Sequence, residues 1–149
     1  MLRGYRELDV WRKSMDLVVE SYRLTAPFPQ QERYGLTAQL RRAAVSVPAN
    51  IAEGHGREHL REYLQFLSIA NGSLMELETH VLINGRMRYI ASEEEKAILM
   101  RAAELGRMLA GLIRALKRRV PDTRHPTPGT YSDRKATIGS TRVARRAGT

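Results

Sequence analysis

The chain of 149 residues contains no cysteine. Disulfides, thiolate nucleophiles and thiolate metal sites are therefore excluded, and a reducing, cytoplasmic location is expected. Long apolar runs are also missing. No stretch approaches the roughly 18 uncharged apolar residues that a membrane span needs, so no membrane contact is expected. The first residues, MLRGYRELDVW, carry charges with no apolar run ahead of them, which argues against a signal peptide. A Gly-rich phosphate loop, a serine triad and a cofactor motif are all lacking. Nothing marks a substrate pocket around the carboxylates, so no general acid/base pair is assigned. The expectation is a protein without enzymatic activity and without a cofactor.

Charge of one sign is scarce in one part of the chain only. The formal net charge is +9. Residues 1–116 hold 16 Lys/Arg against 14 Asp/Glu, whereas residues 117–149 hold 9 against 2. The first part is thus near neutral and the last part strongly basic. This suggests an acidic partner, with RNA or DNA first, or alternatively a segment that only keeps the protein soluble.

What is present is helical periodicity. A first helix is expected from about Asp9, as N-cap, to Thr25. Leu8, Trp11, Met15, Val18 and Tyr22 recur at bundle spacing, and Val10, Leu17 and Leu24 form a second stripe. Pro27 and Pro29 end the helix, and Gln30–Gly35 is a connector with room for one helical turn. A second helix is expected from about Leu36 to Glu53, with Leu36, Leu40, Ala44, Val47 and Ile51 facing the core. Ala38, Ala43, Ala49 and Ala52 would let another backbone come close. Pro48 cannot donate to the carbonyl of Ala44, so a kink is expected there. Gly54 and Gly56 are expected to stop the helix.

A third helix should run from about His59 to Asn84, with Leu60, Leu67, Leu74 and Val81 in heptad register. A mixed seam of Glu62, Phe66, Ile69, Ser73, Glu76, His80 and Ile83 is either a subunit contact or a partly solvated edge. Gly72 within this helix costs about 1 kcal/mol in propensity, so a packing role is expected for it. The fourth helix opens on Ser92 to Glu95, read as a capping box. It continues through Ile98, Ala102, Leu105, Leu109, Leu112 and Leu116 to Lys117-Arg118-Arg119, which suit a negative helix end; Pro121 follows.

These elements predict an all-α protein: an antiparallel up-down-up-down four-helix bundle over residues 1–119, followed by a disordered basic C-terminal tail over 120–149. The two-faced first and third helices offer more apolar surface than one bundle covers, so a homo-oligomer is expected.

The stretch Gln39–Gly54, QLRRAAVSVPANIAEG, resembles the signature of the four-helix-bundle 23S rRNA-intervening sequence proteins. Asp9-Val10-Trp11, Tyr34–Thr37, Gly56-Arg57, Glu62–Ala70, Gly72–Thr79 and Tyr89-Ile90 extend the resemblance over residues 5–119. It implies a helical bundle assembled into a ring, typically a homopentamer, and no settled activity. A related group, the accessory variability proteins of diversity-generating retroelements, implies by analogy that nucleic acid and a reverse transcriptase are candidate partners. The sequence departs from the family pattern at His59, where Ser or Thr is usual, and at Met87-Arg88, where Leu-Gly is usual. The tail lies outside the resemblance.

The candidate nucleic-acid-binding residues are Arg41, Arg42, Arg57, Arg61, Lys117, Arg118 and Arg119, with Arg86 and Arg88 clustered at the third turn. Arg124, Arg134, Lys135, Arg142, Arg145 and Arg146 continue the basic series. Such a tail would bind phosphates without base specificity. Tyr131 is the only aromatic of the tail, which argues against base stacking there. Arg41 and Arg42 have a structural alternative, pairing with Glu53, Glu76 or Glu78 from neighbouring helices. His55-Gly56-Arg57-Glu58-His59 fits H-x-x-E-H, but its glycines fall at the break between two helices, so a turn is expected rather than zinc chemistry. The function expected is a nucleic-acid-associated oligomeric accessory factor, or alternatively a protein-interaction scaffold.

Overall fold

The computed structural model describes residues 4–121. Four helices make up the fold: α1 (Asp9–Thr25), α2 (Leu36–His55), α3 (Leu60–Arg86) and α4 (Ser92–Lys117). Single 3-10 turns stand at Tyr5–Glu7 and Gln30–Glu32, the second inside the expected connector. Each helix packs on its chain neighbours and α1 closes against α4, which completes an antiparallel four-helix bundle. The expected tail lies, from residue 122 onward, outside the described residues.

The core follows the apolar stripes. Leu40, Val47 and Ile51 of α2, Leu67 and Leu77 of α3 and Leu109 of α4 are completely buried. Each such side chain contributes about 1.5–3 kcal/mol of burial free energy. Ile98, Ala102, Leu105 and Leu116 complete the buried face of α4, as its spacing predicts. Leu36 and Leu112 are only half-buried, at the margins of their stripes.

Helix α1 corrects the sequence reading. Its core face is Val10, Ser14, Leu17, Ser21 and Leu24. Met15 and Tyr22, placed by spacing in the main seam, are exposed. The serines hide the true stripe, because each satisfies its own hydroxyl within the helix. Ser14 Oγ donates to the Trp11 carbonyl at 2.6 Å and Ser21 Oγ to the Leu17 carbonyl at 2.7 Å. A buried hydroxyl bonded in this way carries little desolvation penalty.

The helix ends need three corrections. Leu8, not Asp9, occupies the cap position of α1, and Ala91, not Ser92, that of α4; neither helix has a side-chain cap bond. Gly54 does not stop α2, which continues to His55. It is buried within the helix, where a Cβ would lie 2.6 Å from that of Phe66. Gly54 therefore marks a close approach of α2 to α3. The packing role expected of Gly72 is not found, since a Cβ there would meet nothing within 4 Å. α2 also runs on through Pro48, which is buried.

The turn between α3 and α4 contains Arg88 at φ 61°, the left-handed region. Arg88 stands where the resemblance implies glycine, and this departure has a physical cost, because a Cβ disfavours that conformation.

Candidate nucleic-acid interface

Cross-helix contacts set the register and hence which residues share an end. Arg41 reaches Thr25 across the α1–α2 joint, and Ser46 and Ser73 hydroxyls lie 2.8 Å apart across α2 and α3. Between α1 and α4, Lys13 pairs with Glu104, and Arg23 Nη1 lies 4.0 Å from Glu94 Oε1. Gly85 of α3 closes on the Glu95 carboxylate of α4. The start of α1, the α2–α3 joint and the end of α4 therefore lie at one end of the bundle.

That end gathers Arg57, Arg61, Lys117, Arg118 and Arg119, which are all exposed. Arg57 Nη2 donates to Glu53 Oε1 at 2.8 Å, and its guanidinium stands 4.8 Å from the Phe66 ring centroid. This holds the side chain along the α2–α3 joint. Arg61 is in the first turn of α3. Lys117, Arg118 and Arg119 make no ion pair among the described residues. Lys117 is in the last turn of α4 and Arg118 and Arg119 follow it, where unsatisfied carbonyls make a cation favourable. Such unpaired cations can bind phosphate oxygens but offer no base-specific contact.

The other candidates lie elsewhere. Arg41 is half-buried at the opposite end, where Nε donates to Thr25 Oγ1 at 2.8 Å and Nη2 to the Tyr22 carbonyl at 3.4 Å. Its guanidinium lies 4.4 Å from the Tyr22 ring centroid, a cation–π contact. Arg42 is exposed, and its side chain makes no hydrogen bond or ion pair among the described residues. The expected pairing of these arginines with glutamates is corrected. Glu53 is taken by Arg57, Glu76 Oε1 lies 3.5 Å from His80 Nε2, and Glu78 forms no ion pair among the described residues. Arg86 and Arg88 stand at the α3–α4 turn, also away from the cationic end. The basic residues from Arg124 onward lie outside the described residues.

His55 and His59 are divided by the helix break. His55 closes α2 and meets Tyr63 edge-on, with centroids 5.7 Å apart, whereas His59 is the cap residue of α3. The two do not share a helix face, which the zinc-peptidase reading requires. Burial also pushes the Tyr63 phenol up from its ordinary range. The hydrogen bond from Arg23 holds the half-buried Glu20 carboxyl below its ordinary range, and that from Lys13 does the same for the exposed Glu104.

Sequence reasoning did not assemble Tyr22, Arg33, Tyr34 and Thr37 with Arg41, because they come from α1, the connector and α2. The only local signal was the adjacent Arg33-Tyr34 pair, stacked at 5.6 Å.

Fold and charge placement together define an all-helical up-and-down bundle with a cluster of exposed cations at one end. A family model described as 23S rRNA-intervening sequence protein matches residues 6–111, and the chain belongs to that family. A crystal structure of a protein with unknown function from the S23 ribosomal protein family of Bacteroides thetaiotaomicron is similar, with a TM-score of 0.64 and 24% identity. The match covers 70% of this chain and 98% of that one, and at this identity it shows the fold alone. No curated protein matches the chain. None of the helices described is long and apolar enough to cross a membrane.

Proposed function

We propose that the protein is a non-enzymatic, homo-oligomeric accessory factor that associates with RNA or DNA through the cationic end of its bundle. The observation that carries this reading is the convergence of Arg57 and Arg61 with Lys117–Arg119, residues remote in sequence, where the basic segment of the chain begins. Exposed cations of this kind favour phosphate backbones over any particular base. The ring of five implied by family resemblance is supported by exposed apolar side chains such as Val19, Ile69, Met75 and Leu82. A reverse transcriptase is a candidate protein partner on the retroelement analogy alone.

The test is fluorescence anisotropy of the full chain with labelled single-stranded RNA over a salt series. Replacing Lys117, Arg118 and Arg119 together by Glu should weaken binding and reduce the magnitude of the log–log salt slope by about 2, at roughly 0.7 per phosphate contact. Binding that is absent, or indifferent to salt, refutes the reading. Sedimentation of the same protein reads the oligomeric state.

A second reading, a protein-interaction scaffold with no nucleic-acid contact, draws support from the exposed Met15, Val19 and Tyr22 on α1. These recur at helical spacing and suit an apolar partner surface. Capture of a defined protein partner after nuclease treatment, with no RNA binding by the purified chain, supports this alternative.

A further inference from the structure

At the end opposite the cationic cluster, α1, the connector and α2 enclose two adjoining clefts of about 240 and 670 Å³. Both are lined by Arg33, Thr37 and Arg41, and the larger adds Tyr22, Tyr34 and Arg42. Among the described residues, no carboxylate lines either cleft. Two of the guanidinium groups are placed by aromatic rings: Arg41 stacks on Tyr22 and Arg33 on Tyr34. The Arg42 side chain has no partner among the described residues.

The start of α2 adds donors to this positive field. Gly35 occupies the cap position and has no side chain with which to cap. The Leu36 N–H donates to Glu32 Oε2 at 3.1 Å, but the N–H groups of Thr37 and Ala38 have no acceptor among the described residues. Thr37 lies in the wall of both clefts. It is 7% exposed; its Oγ1 is shut off from solvent and has no hydrogen-bond partner among the described residues, so the hydroxyl itself is not presented to the cleft.

Guanidinium groups converging from the connector and α2, beside helix-start N–H groups with no acceptor among the described residues, together suit an anion with several acceptor oxygens, as a phosphate has. The rings add a second requirement. Tyr34 is 84% exposed, so it offers a flat apolar face to a heterocycle beside that phosphate. We propose that this cleft binds a nucleoside phosphate, its phosphate group among Arg33, Arg41, Arg42 and the start of α2 and its base against Tyr34. The site shares no residue with the cationic end, so it stands independently of the proposed function.

The test is isothermal titration of the full chain with adenosine monophosphate, inorganic phosphate and a 5′-phosphorylated single-stranded hexanucleotide. Adenosine monophosphate should bind more tightly than phosphate. Arg42→Ala should weaken both by about tenfold, the loss of one charge-assisted hydrogen bond. Tyr34→Ala should weaken the nucleotide by about tenfold and leave inorganic phosphate unchanged, because only the base stacks. Met100→Ala, on α4 outside both the cleft and the cationic end, should change neither. Both cleft variants alter exposed side chains, and circular dichroism verifies that each is folded. The proposal is overturned if the nucleotide does not bind, if neither cleft variant weakens it, or if only the hexanucleotide binds. It is also overturned if the nucleotide fails to bind while Arg42→Ala lowers the sedimentation coefficient, which would make the cleft a seat for a second copy of the chain.

Discussion

Arg41 Nε donates to Thr25 Oγ1 at 2.8 Å, and Thr25 Oγ1 in turn donates to the Ser21 carbonyl at 2.8 Å. One guanidinium thereby ties the start of α2 to the end of α1. Arg41→Ala should destabilise the protein by about 2 kcal/mol, the size of a charge-assisted hydrogen bond with its ring contact. Arg41→Lys should recover little, since an ammonium does not reproduce the planar geometry. Arg42→Ala should stay within about 0.5 kcal/mol of the parent. Urea midpoints decide the matter, and equal effects at the two arginines would contradict it.

Two glycines inside helices should respond to alanine with opposite signs. Gly54→Ala places a Cβ 2.6 Å from Phe66 Cβ and 3.3 Å from the Tyr63 carbonyl oxygen. Overpacking of this kind costs about 1–3 kcal/mol, more than the helical preference of alanine returns. Gly72→Ala meets open space and should stabilise α3 by about 0.5–1 kcal/mol. Thermal melts of the pair provide the comparison. A rise in Tm for both would show that α2 and α3 are less closely seated than described.

Arg88→Gly should stabilise the α3–α4 turn by about 1 kcal/mol, because residue 88 sits at φ 61° and a side chain is strained there. The gain should appear as a higher urea midpoint with an unchanged slope. A loss of stability instead would mean that the Arg88 side chain contributes more than its backbone strain removes.

The Tyr63 phenol is raised by burial, which sets the sign of an alkaline effect. Its contribution to stability is fully present below the unfolded value of about 10 and is lost as pH rises through the folded value. Tyr63→Phe should therefore flatten the decline in stability above about pH 10. Denaturation at a series of alkaline pH values checks this, and an unchanged decline assigns the effect to other groups.

The legibility of the fold varied with how each helix meets its surroundings. In α4, and in α2 from Leu40 to Ile51, the buried positions are apolar, so spacing alone marks Ile98–Leu116 and Leu40–Ile51. In α1 the buried Ser14 and Ser21 interrupt the stripe, and the exposed Met15 and Tyr22 imitate one. The basic candidates were legible as residue types, but their grouping was not. Arg41 proved to be a link between helices, while Arg57, Arg61 and Lys117–Arg119 came to one end through antiparallel register.

The order of residues by itself determined four helices, where their apolar faces lie in α2 and α4, and that positive charge gathers late in the chain. These are properties of local periodicity and composition, which do not depend on what packs where. Only the tertiary structure decided that Gly54 is a contact and Gly72 is open, that Arg41 finds Thr25 rather than a glutamate, and that Thr37 and Tyr34 share a cleft with three arginines. Each of those depends on a distance between segments, and such distances arise only when the helices close on a common core.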